Sequence, residues 1–200
     1  MKRGVFLDRD GVVNRMVYDA EHGTVDSPAN PDQLEMLPGA AEAVRALNDL
    51  GLPVIVVSNQ PGIAKGKMTL ALQEAITSKL QAGLAAAGAH LDGVYYCLHH
   101  PDAALPEYRI RCDCRKPKPG LLLRAAGELG VQLTDSWMIG DGLVDVQAGK
   151  AAGCITVWLG AWKCDMCQIA RDENATPDLV AQDLAEAVQM IVENISLAKA

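Results

Sequence analysis

Near its start the chain reads Val5-Phe6-Leu7-Asp8-Arg9-Asp10-Gly11, an apolar run followed by two carboxylates two positions apart and a glycine. Consecutive apolar residues are typical of a strand that is covered on both faces. The glycine allows a turn at which both carboxylates can face one cavity. This pattern predicts a buried strand that ends at a polar site.

The remainder of the chain alternates between apolar runs and segments with helical periodicity, which predict strands and helices respectively. The predicted strands cover residues 4–7, 52–57, 92–96, 137–139 and 154–159, and the predicted helices cover 39–50, 69–87, 119–129, 144–152 and 184–195. Alternating strands and helices favour an α/β fold, a Rossmann-like parallel sheet with helices on both faces. Ligands of such sheets bind beyond the carboxyl ends of the strands.

Length and composition narrow the function classes. The 200 residues predict one domain over 1–200, and a net charge of −7 disfavours nucleic acids and anionic membranes as partners. A few local cations can still bind an anionic substrate. The longest apolar runs are too short for a membrane span or a signal peptide, so we expect a cytoplasmic protein. A compact α/β domain without a large lid insert can work as a monomer, which is the state that we expect.

Acidic residues follow two of the predicted strands. Asp8 and Asp10 follow the first strand, and Asp141 follows the strand at 137–139, with Asp145 one helical turn later. Carboxylates gathered at one edge of a sheet indicate a hard divalent ion, most plausibly Mg²⁺, held by Asp8, Asp10 and Asp141. The alternatives are a plain acidic turn at Asp8 and a helix cap at Asp141.

Two other motifs carry phosphate-binding groups. Ser58 and Asn59 end the most hydrophobic strand, and their side chains can donate to phosphate oxygens without adding charge. Arg115 and Lys116 precede a helix, where the lysine can neutralise a phosphate and the arginine can bind a second anion. The alternatives are a turn for the first pair and a solvated basic loop for the second.

Together, and in this order, the motifs resemble those of the haloacid dehalogenase superfamily of phosphotransferases. The resemblance implies that Asp8 is the nucleophile that forms an aspartyl-phosphate and that Asp10 is the general acid and base. It also implies that Ser58 and Lys116 hold the transferred phosphoryl group. Mg²⁺ would be held by the side chains of Asp8 and Asp141 and by the backbone carbonyl of Asp10.

A cysteine cluster lies in an irregular segment of about 97–118 that is rich in proline, cysteine and charge. Cys97, His99, Cys112 and Cys114 make a closed set of three thiolates and one imidazole, which suits structural Zn²⁺. His99 is preferred over His100 because alternate residues of an extended segment point the same way. The alternative is four unrelated side chains. Since Cys114 precedes Arg115 and Lys116, the metal would fix both residues.

With this cluster, the sequence resembles the subgroup of D-glycero-D-manno-heptose-1,7-bisphosphate 7-phosphatases. The motifs that carry the likeness are residues 8–14, 58–66, 95–101 and 112–117. The resemblance implies a phosphorylated sugar as substrate, with Arg115 on its distal phosphate. The related zinc-loop phosphatases of histidinol phosphate share most of these motifs. A non-catalytic phospho-ligand-binding protein or a receiver-like switch on the same fold is the alternative of another class.

Three features lie outside these motifs. Gly142 stands where the resembling enzymes have lysine, and residues 17–33 form a longer segment that we expect to border the substrate. Cys164 and Cys167 form a C-x-x-C pair, which we interpret as coincidental thiols because two ligands do not complete a tetrahedral site.

Overall fold

The computed structural model describes residues 2–20, 23–160 and 175–197. Its centre is a sheet of six parallel strands in the order β5-β4-β1-β6-β7-β8. These strands are β1 (Val5–Leu7), β4 (Val54–Asn59), β5 (Gly93–Cys97), β6 (Trp137–Gly140), β7 (Ile155–Leu159) and β8 (Leu179–Ala181). A separate antiparallel hairpin pairs β2 (Val17–Asp19) with β3 (Thr24–Asp26).

The helices are α1 (Ala40–Asp49), α2 (Leu70–Ala86), α3 (Gly120–Leu129), α4 (Leu143–Ala152) and α5 (Leu184–Leu197). Two helix starts follow from single side chains. Thr69 accepts from the Leu72 N–H at the start of α2, and Asp183 accepts from the Glu186 N–H before α5. Gly130 adopts a left-handed conformation after α3.

Both faces of the sheet are covered, as the apolar strands predict. Val5 and Leu7 face the core shared with α1, α2 and α5, whereas Phe6 faces the core shared with α3 and α4. All three side chains are fully buried. The predicted Rossmann-like α/β fold is therefore confirmed.

The strand order places β1 at the point where the chain changes direction across the sheet. Val5 of β1 pairs with Val54 of β4 on one side and with Trp137 of β6 on the other. A crevice opens at such a switch point beyond the carboxyl ends of the strands. Asp8 is the first residue beyond β1, so it lies at this crevice.

Several elements were absent from the sequence prediction. The β2–β3 hairpin lies within the segment 17–33, and β8 adds an edge strand next to β7. The irregular segment 97–118 also contacts the main core through Leu105 and Tyr108, so it does not depend on a metal alone for its packing.

Two findings concern the limits of the description. No helix of the described ranges is long and apolar enough to cross a membrane. The C-x-x-C pair, Cys164 and Cys167, lies outside the described residues.

Candidate active site

Three carboxylates and one lysine meet at the carboxyl end of β1. The Lys116 Nζ atom lies 2.9 Å from Asp8 Oδ1 and 2.6 Å from Asp145 Oδ1, and it donates to the Val57 carbonyl at 2.8 Å. Oxygen atoms of Asp8, Asp141 and Asp145 all lie within 4.8 Å of one another. The structure thus brings the predicted nucleophile, the predicted phosphate-binding lysine and the distant Asp141 into one cluster.

Two glycines make this close approach possible. Gly11 has a φ of +80°, and a Cβ atom there would collide with the Asp141 carboxylate. A Cβ atom at Gly140 would collide with the Asp145 side chain. Neither position tolerates a larger residue without moving a carboxylate of the cluster.

The cluster holds more negative charge than its lysine balances. Burial and the charges of Asp145 and Asp8 raise the pKa of Asp141 to about 7. Burial also raises the pKa of Asp145, although the adjacent Lys116 acts in the opposite direction. Burial would lower the pKa of Lys116, but the charges of Asp145 and Asp8 outweigh it and raise that pKa above its usual value.

This donor set fits a hard divalent cation. Carboxylate oxygens are the ligands that Mg²⁺ prefers, and a second cation would offset the burial and the repulsion that raise the pKa of Asp141. Both oxygens of Asp145 already have partners, since Oδ1 pairs with Lys116 and Oδ2 accepts from the Gly142 N–H at 3.0 Å. Asp8 and Asp141 are therefore the side chains available to an ion.

Asp10 lies in a different environment, surrounded by hydrogen-bond donors. Its Oδ1 accepts from Arg9 and from the Asn14 amide at 2.9 Å. Its Oδ2 accepts from Arg9, from Ser27 Oγ at 2.8 Å and from Gln60 Nε2 at 2.6 Å. Asp8 thus pairs with Lys116, whereas Asp10 is bound by a different set of donors. Two carboxylates in different environments can take two different roles in a reaction.

Ser58 and Asn59, at the end of β4, make different contacts. Ser58 is buried, and its Oγ accepts from Gln60 Nε2 at 3.1 Å. The Asn59 amide pairs with the backbone of Lys116 in both directions, each at 3.0 Å. Asn59 thus holds the loop that carries the lysine, and its predicted contact with phosphate stays a prediction.

A second cluster joins the end of β5 to the segment before α3. Cys114 Sγ lies 3.3 Å from Cys97 Sγ, 3.1 Å from Cys112 Sγ and 3.4 Å from His99 Nδ1. An ion bonded to two sulfurs at about 2.3 Å in tetrahedral geometry places them about 3.8 Å apart, so the spacing is slightly tighter than that of an occupied zinc site. The structure brings together all four predicted ligands.

The thiols of this cluster affect one another's ionisation. Burial raises the pKa of Cys97 and of Cys114. Burial acts the same way on Cys112, but hydrogen bonds with Cys114, His99 and Cys97 outweigh it and lower the pKa of Cys112 to about 7. None of the three thiols is in a disulfide. A thiolate among free thiols is the state from which soft metals bind.

Comparisons with known proteins agree with this geometry. Residues 6–153 match the family model of the haloacid dehalogenase-like hydrolases. The chain belongs to that family. The D-glycero-beta-D-manno-heptose-1,7-bisphosphate 7-phosphatase of Escherichia coli K12 is 44% identical over 148 residues, which are 74% of this chain and 73% of the relative. The corresponding enzyme of Pasteurella multocida is 41% identical over 152 residues, 76% of this chain and 78% of the relative.

The chain is also similar to solved structures of heptose bisphosphate phosphatases. The D,D-heptose 1,7-bisphosphate phosphatase of B. bronchiseptica, complexed with magnesium and phosphate, has a TM-score of 0.78 at 31% identity and covers 97% of this chain and 99% of its own. The D,D-heptose 1,7-bisphosphate phosphatase of Burkholderia thailandensis has a TM-score of 0.66 at 27% identity, with coverage of 96% and 99%.

A basic cleft adjoins the lysine of this haloacid dehalogenase-like site. It has a volume of about 460 Å³, and its lining includes one carboxylate, Asp102, and four cations, which are Arg111, Arg115, Lys116 and Lys118. Arg115 donates to the His99 carbonyl at 3.2 Å, so its guanidinium is anchored to the cysteine cluster. The sequence prediction named Arg115 and Lys116 but not Arg111.

Four further residues of the site were not predicted as such. Arg9 and Gln60 are buried around Asp10, and Asn14 and Ser27 complete its donors. The sequence carried a weak signal for two of them, because Arg9 lies between the two aspartates and Gln60 follows the motif at 58–59. Ser27 lies in the segment 17–33, which the sequence analysis expects to border the substrate, but the sequence pattern did not single out this serine.

Proposed function

We propose that this protein hydrolyses the 7-phosphate of D-glycero-D-manno-heptose 1,7-bisphosphate through a phosphorylated Asp8. The observation that carries the proposal is the Asp8 carboxylate, at the switch point of the sheet, paired with Lys116 beside Asp141. The relatives named above, with identities of 41–44% over most of the chain, support the choice of substrate.

In the first half-reaction the Asp8 carboxylate attacks phosphorus, and the bond from phosphorus to the sugar oxygen breaks. Asp10 gives its proton to that oxygen. Lys116 and Ser58 hold the transferred phosphoryl group, whose charge spreads over its equatorial oxygens in the transition state. Lys116 reduces the repulsion between the phosphate dianion and the Asp8 carboxylate.

In the second half-reaction water attacks the same phosphorus and gives a proton to Asp10, and the bond to Asp8 breaks. Both aspartates then return to their starting forms. Mg²⁺ would be held by Asp8, Asp141 and the Asp10 carbonyl, and it would supply positive charge that offsets the negative charge of the phosphate. We propose Zn²⁺ as the structural ion of Cys97, His99, Cys112 and Cys114.

Arg115 supports the assignment of a substrate with two phosphates. It lines the basic cleft beside Lys116, and Arg111 and Lys118 add cations to the same lining. A bidentate guanidinium is suited to a terminal phosphate group. We propose that the phosphate of the substrate that is not hydrolysed lies in this cleft.

The domain organisation, oligomeric state and location of the protein stay predictions. We propose a single domain over residues 1–200 that works as a cytoplasmic monomer, with the segment of about 97–118 as its zinc-binding insert.

The test compares Mg²⁺-dependent phosphate release from both anomers of the heptose bisphosphate and from histidinol phosphate. We expect the highest kcat/KM for a heptose bisphosphate, and no turnover by Asp8→Asn. A preference for histidinol phosphate would assign the substrate of the related zinc-loop enzymes. Binding of these phosphates without any hydrolysis would identify a non-catalytic phospho-ligand-binding protein.

A further inference from the structure

A fully buried guanidinium lies between Asp10 and Tyr96. The Arg9 side chain is completely buried, and its Nη2 donates to both oxygens of Asp10, at 3.0 Å and 3.1 Å. Its Nε donates to Asp10 Oδ1 at 3.1 Å. On the other side, the Arg9 guanidinium carbon lies 5.5 Å from the centre of the Tyr96 ring.

Burial of this cation is costly, so its contacts indicate what it does. Arg9 Nη1 is buried without a hydrogen-bond acceptor among the described residues. The guanidinium is therefore not placed to satisfy all of its donors. It binds Asp10 on one side and lies over the Tyr96 ring on the other, where the ring face attracts a cation.

The contact fixes the plane of the Asp10 carboxylate. A guanidinium fork that binds both oxygens sets their direction as well as their distance. Gln60 strengthens the arrangement, because its Oε1 accepts from Arg9 Nη2 at 2.9 Å while its Nε2 donates to Asp10. Ser27, the other donor to Oδ2, is only partly buried.

We propose that Arg9, supported by the Tyr96 ring, is a positioning residue that aims the Asp10 carboxyl at the leaving oxygen of the substrate. The inference rests on the proposed phosphatase reaction and deepens it. When substrate binds, its leaving oxygen takes the place of the partly buried Ser27 at Oδ2, and the buried fork of Arg9 keeps its hold.

Leaving-group chemistry separates this role from a structural one. A sugar alkoxide leaves only with a proton from Asp10, whereas 2,4-dinitrophenolate is stable without one. If the Asp10 carboxyl is misoriented, phosphoryl transfer from a sugar phosphate to Asp8 therefore slows, whereas phosphoryl transfer from 2,4-dinitrophenyl phosphate keeps its rate. Hydrolysis of phospho-Asp8 slows for both substrates, because water also needs Asp10 as its base.

The experiment measures two variants, Arg9→Lys and Tyr96→Leu. The first keeps the charge and loses the fork, and the second removes the ring that supports it. For heptose bisphosphate we expect kcat to fall about tenfold or more with KM within about twofold. With 2,4-dinitrophenyl phosphate we expect a rapid burst of dinitrophenolate at the parent rate, followed by slow turnover.

The chain offers a matched control on the opposite face of β5. Arg124 lies over the Tyr95 ring at the same 5.5 Å, but it pairs with the exposed Glu128 and contacts no aspartate of the site. Arg124→Lys and Tyr95→Leu should leave both the burst and kcat unchanged. Circular dichroism and thermal unfolding confirm that each variant is folded.

Two results would overturn the inference. One is a burst that slows in parallel with sugar-phosphate turnover, since that indicates damage to Asp8 or Lys116 instead. The other is full sugar-phosphate activity in folded Arg9→Lys and Tyr96→Leu. An inactive parent protein would refute the proposed function itself, and it would be recognised before any variant is compared.

Discussion

Lys116 is the residue on which the balance of charge at the site depends. Its side chain is 1% exposed and pairs with Asp8 and Asp145. Lys116→Met leaves two carboxylates near each other without their shared cation. We expect the free energy of unfolding in denaturant to fall by about 3–5 kcal/mol, and phosphate release to drop to background.

Lys118→Met is the matched control for stability. Lys118 pairs with Asp113 at the surface, where water already solvates both charges. The denaturation midpoint of this variant should stay at the parent value. A Lys116→Met protein as stable as the parent would mean that another group balances the carboxylates.

The raised pKa of Asp141 predicts how stability depends on pH without metal. The pKa of this carboxyl is near 3.8 in the unfolded chain, whereas burial and neighbouring carboxylates raise it to about 7 in the folded protein. Between these values the folded state binds more protons, so the free energy of unfolding falls as pH rises from about 4 to about 7. The full shift corresponds to on the order of 4 kcal/mol.

Denaturant titrations from pH 4.5 to 8 in a chelator measure this slope. Asp141→Asn should make the slope shallower, because the amide carries no charge and the contribution of Asp145, whose pKa burial also raises, remains. With the chelator omitted, Mg²⁺ should raise the stability of the parent most at the upper end of the range. If Asp141→Asn leaves the slope of the parent unchanged, the pH dependence of the free energy of unfolding does not come from this carboxylate.

At the scale of elements, the segment of about 97–118 connects the cysteine cluster to Lys116, the lysine proposed to hold the phosphoryl group. Cys112→Ser removes one thiolate, so we expect the zinc content to fall from about one ion per chain to near zero. Because Cys114 directly precedes Arg115 and Lys116, phosphate release should fall together with the metal. Elemental analysis and an activity assay on the same sample measure both effects.

Cys154→Ala is the control for this experiment. Cys154 is a buried thiol that packs with α3 and α4 and is not part of the cluster. This variant should keep its zinc. A Cys112→Ser protein with full activity and no zinc would separate the insert from the placement of Lys116.

The elements also show what the sequence pattern reveals and what it does not. Helix α1 was predictable because burial of one side gives its apolar residues a helical period, and strand β4 because burial of both faces makes its apolar residues consecutive. The β2–β3 hairpin was not, since its strands have three residues each and Thr24 and Val25 are exposed. Short strands without a buried face leave no periodic signal.

The same limit applies within the site. Asp8, Asp141 and Lys116 were found because each follows a strand or precedes a helix in a recognisable motif. The partnership of Arg9 with Tyr96 spans 87 positions of sequence and depends on how β5 packs beside β4. No local pattern encodes such a contact, and only the folded sheet places the two side chains together.

At the scale of the whole molecule, a net charge of −7 opposes the approach of a phosphorylated substrate. Arg111 and Arg115 line the basic cleft. Salt screens charges that lie farther from the substrate than a Debye length, about 8–10 Å at moderate salt, so these local cations outweigh the more distant carboxylates. We therefore expect kcat/KM for a heptose bisphosphate to fall as ionic strength rises, since salt screens this local attraction.

The double variant Arg111→Gln/Arg115→Gln should reverse that slope, because what remains is a net-negative molecule whose repulsion salt relieves. Lys2→Gln/Arg3→Gln removes the same two charges beside a different cleft, at the start of β1 and so at the opposite edge of the sheet from Asp8. This control should keep the negative slope of the parent. Equal salt dependence in the two double variants would mean that total charge, and not its placement at the cleft, governs the encounter.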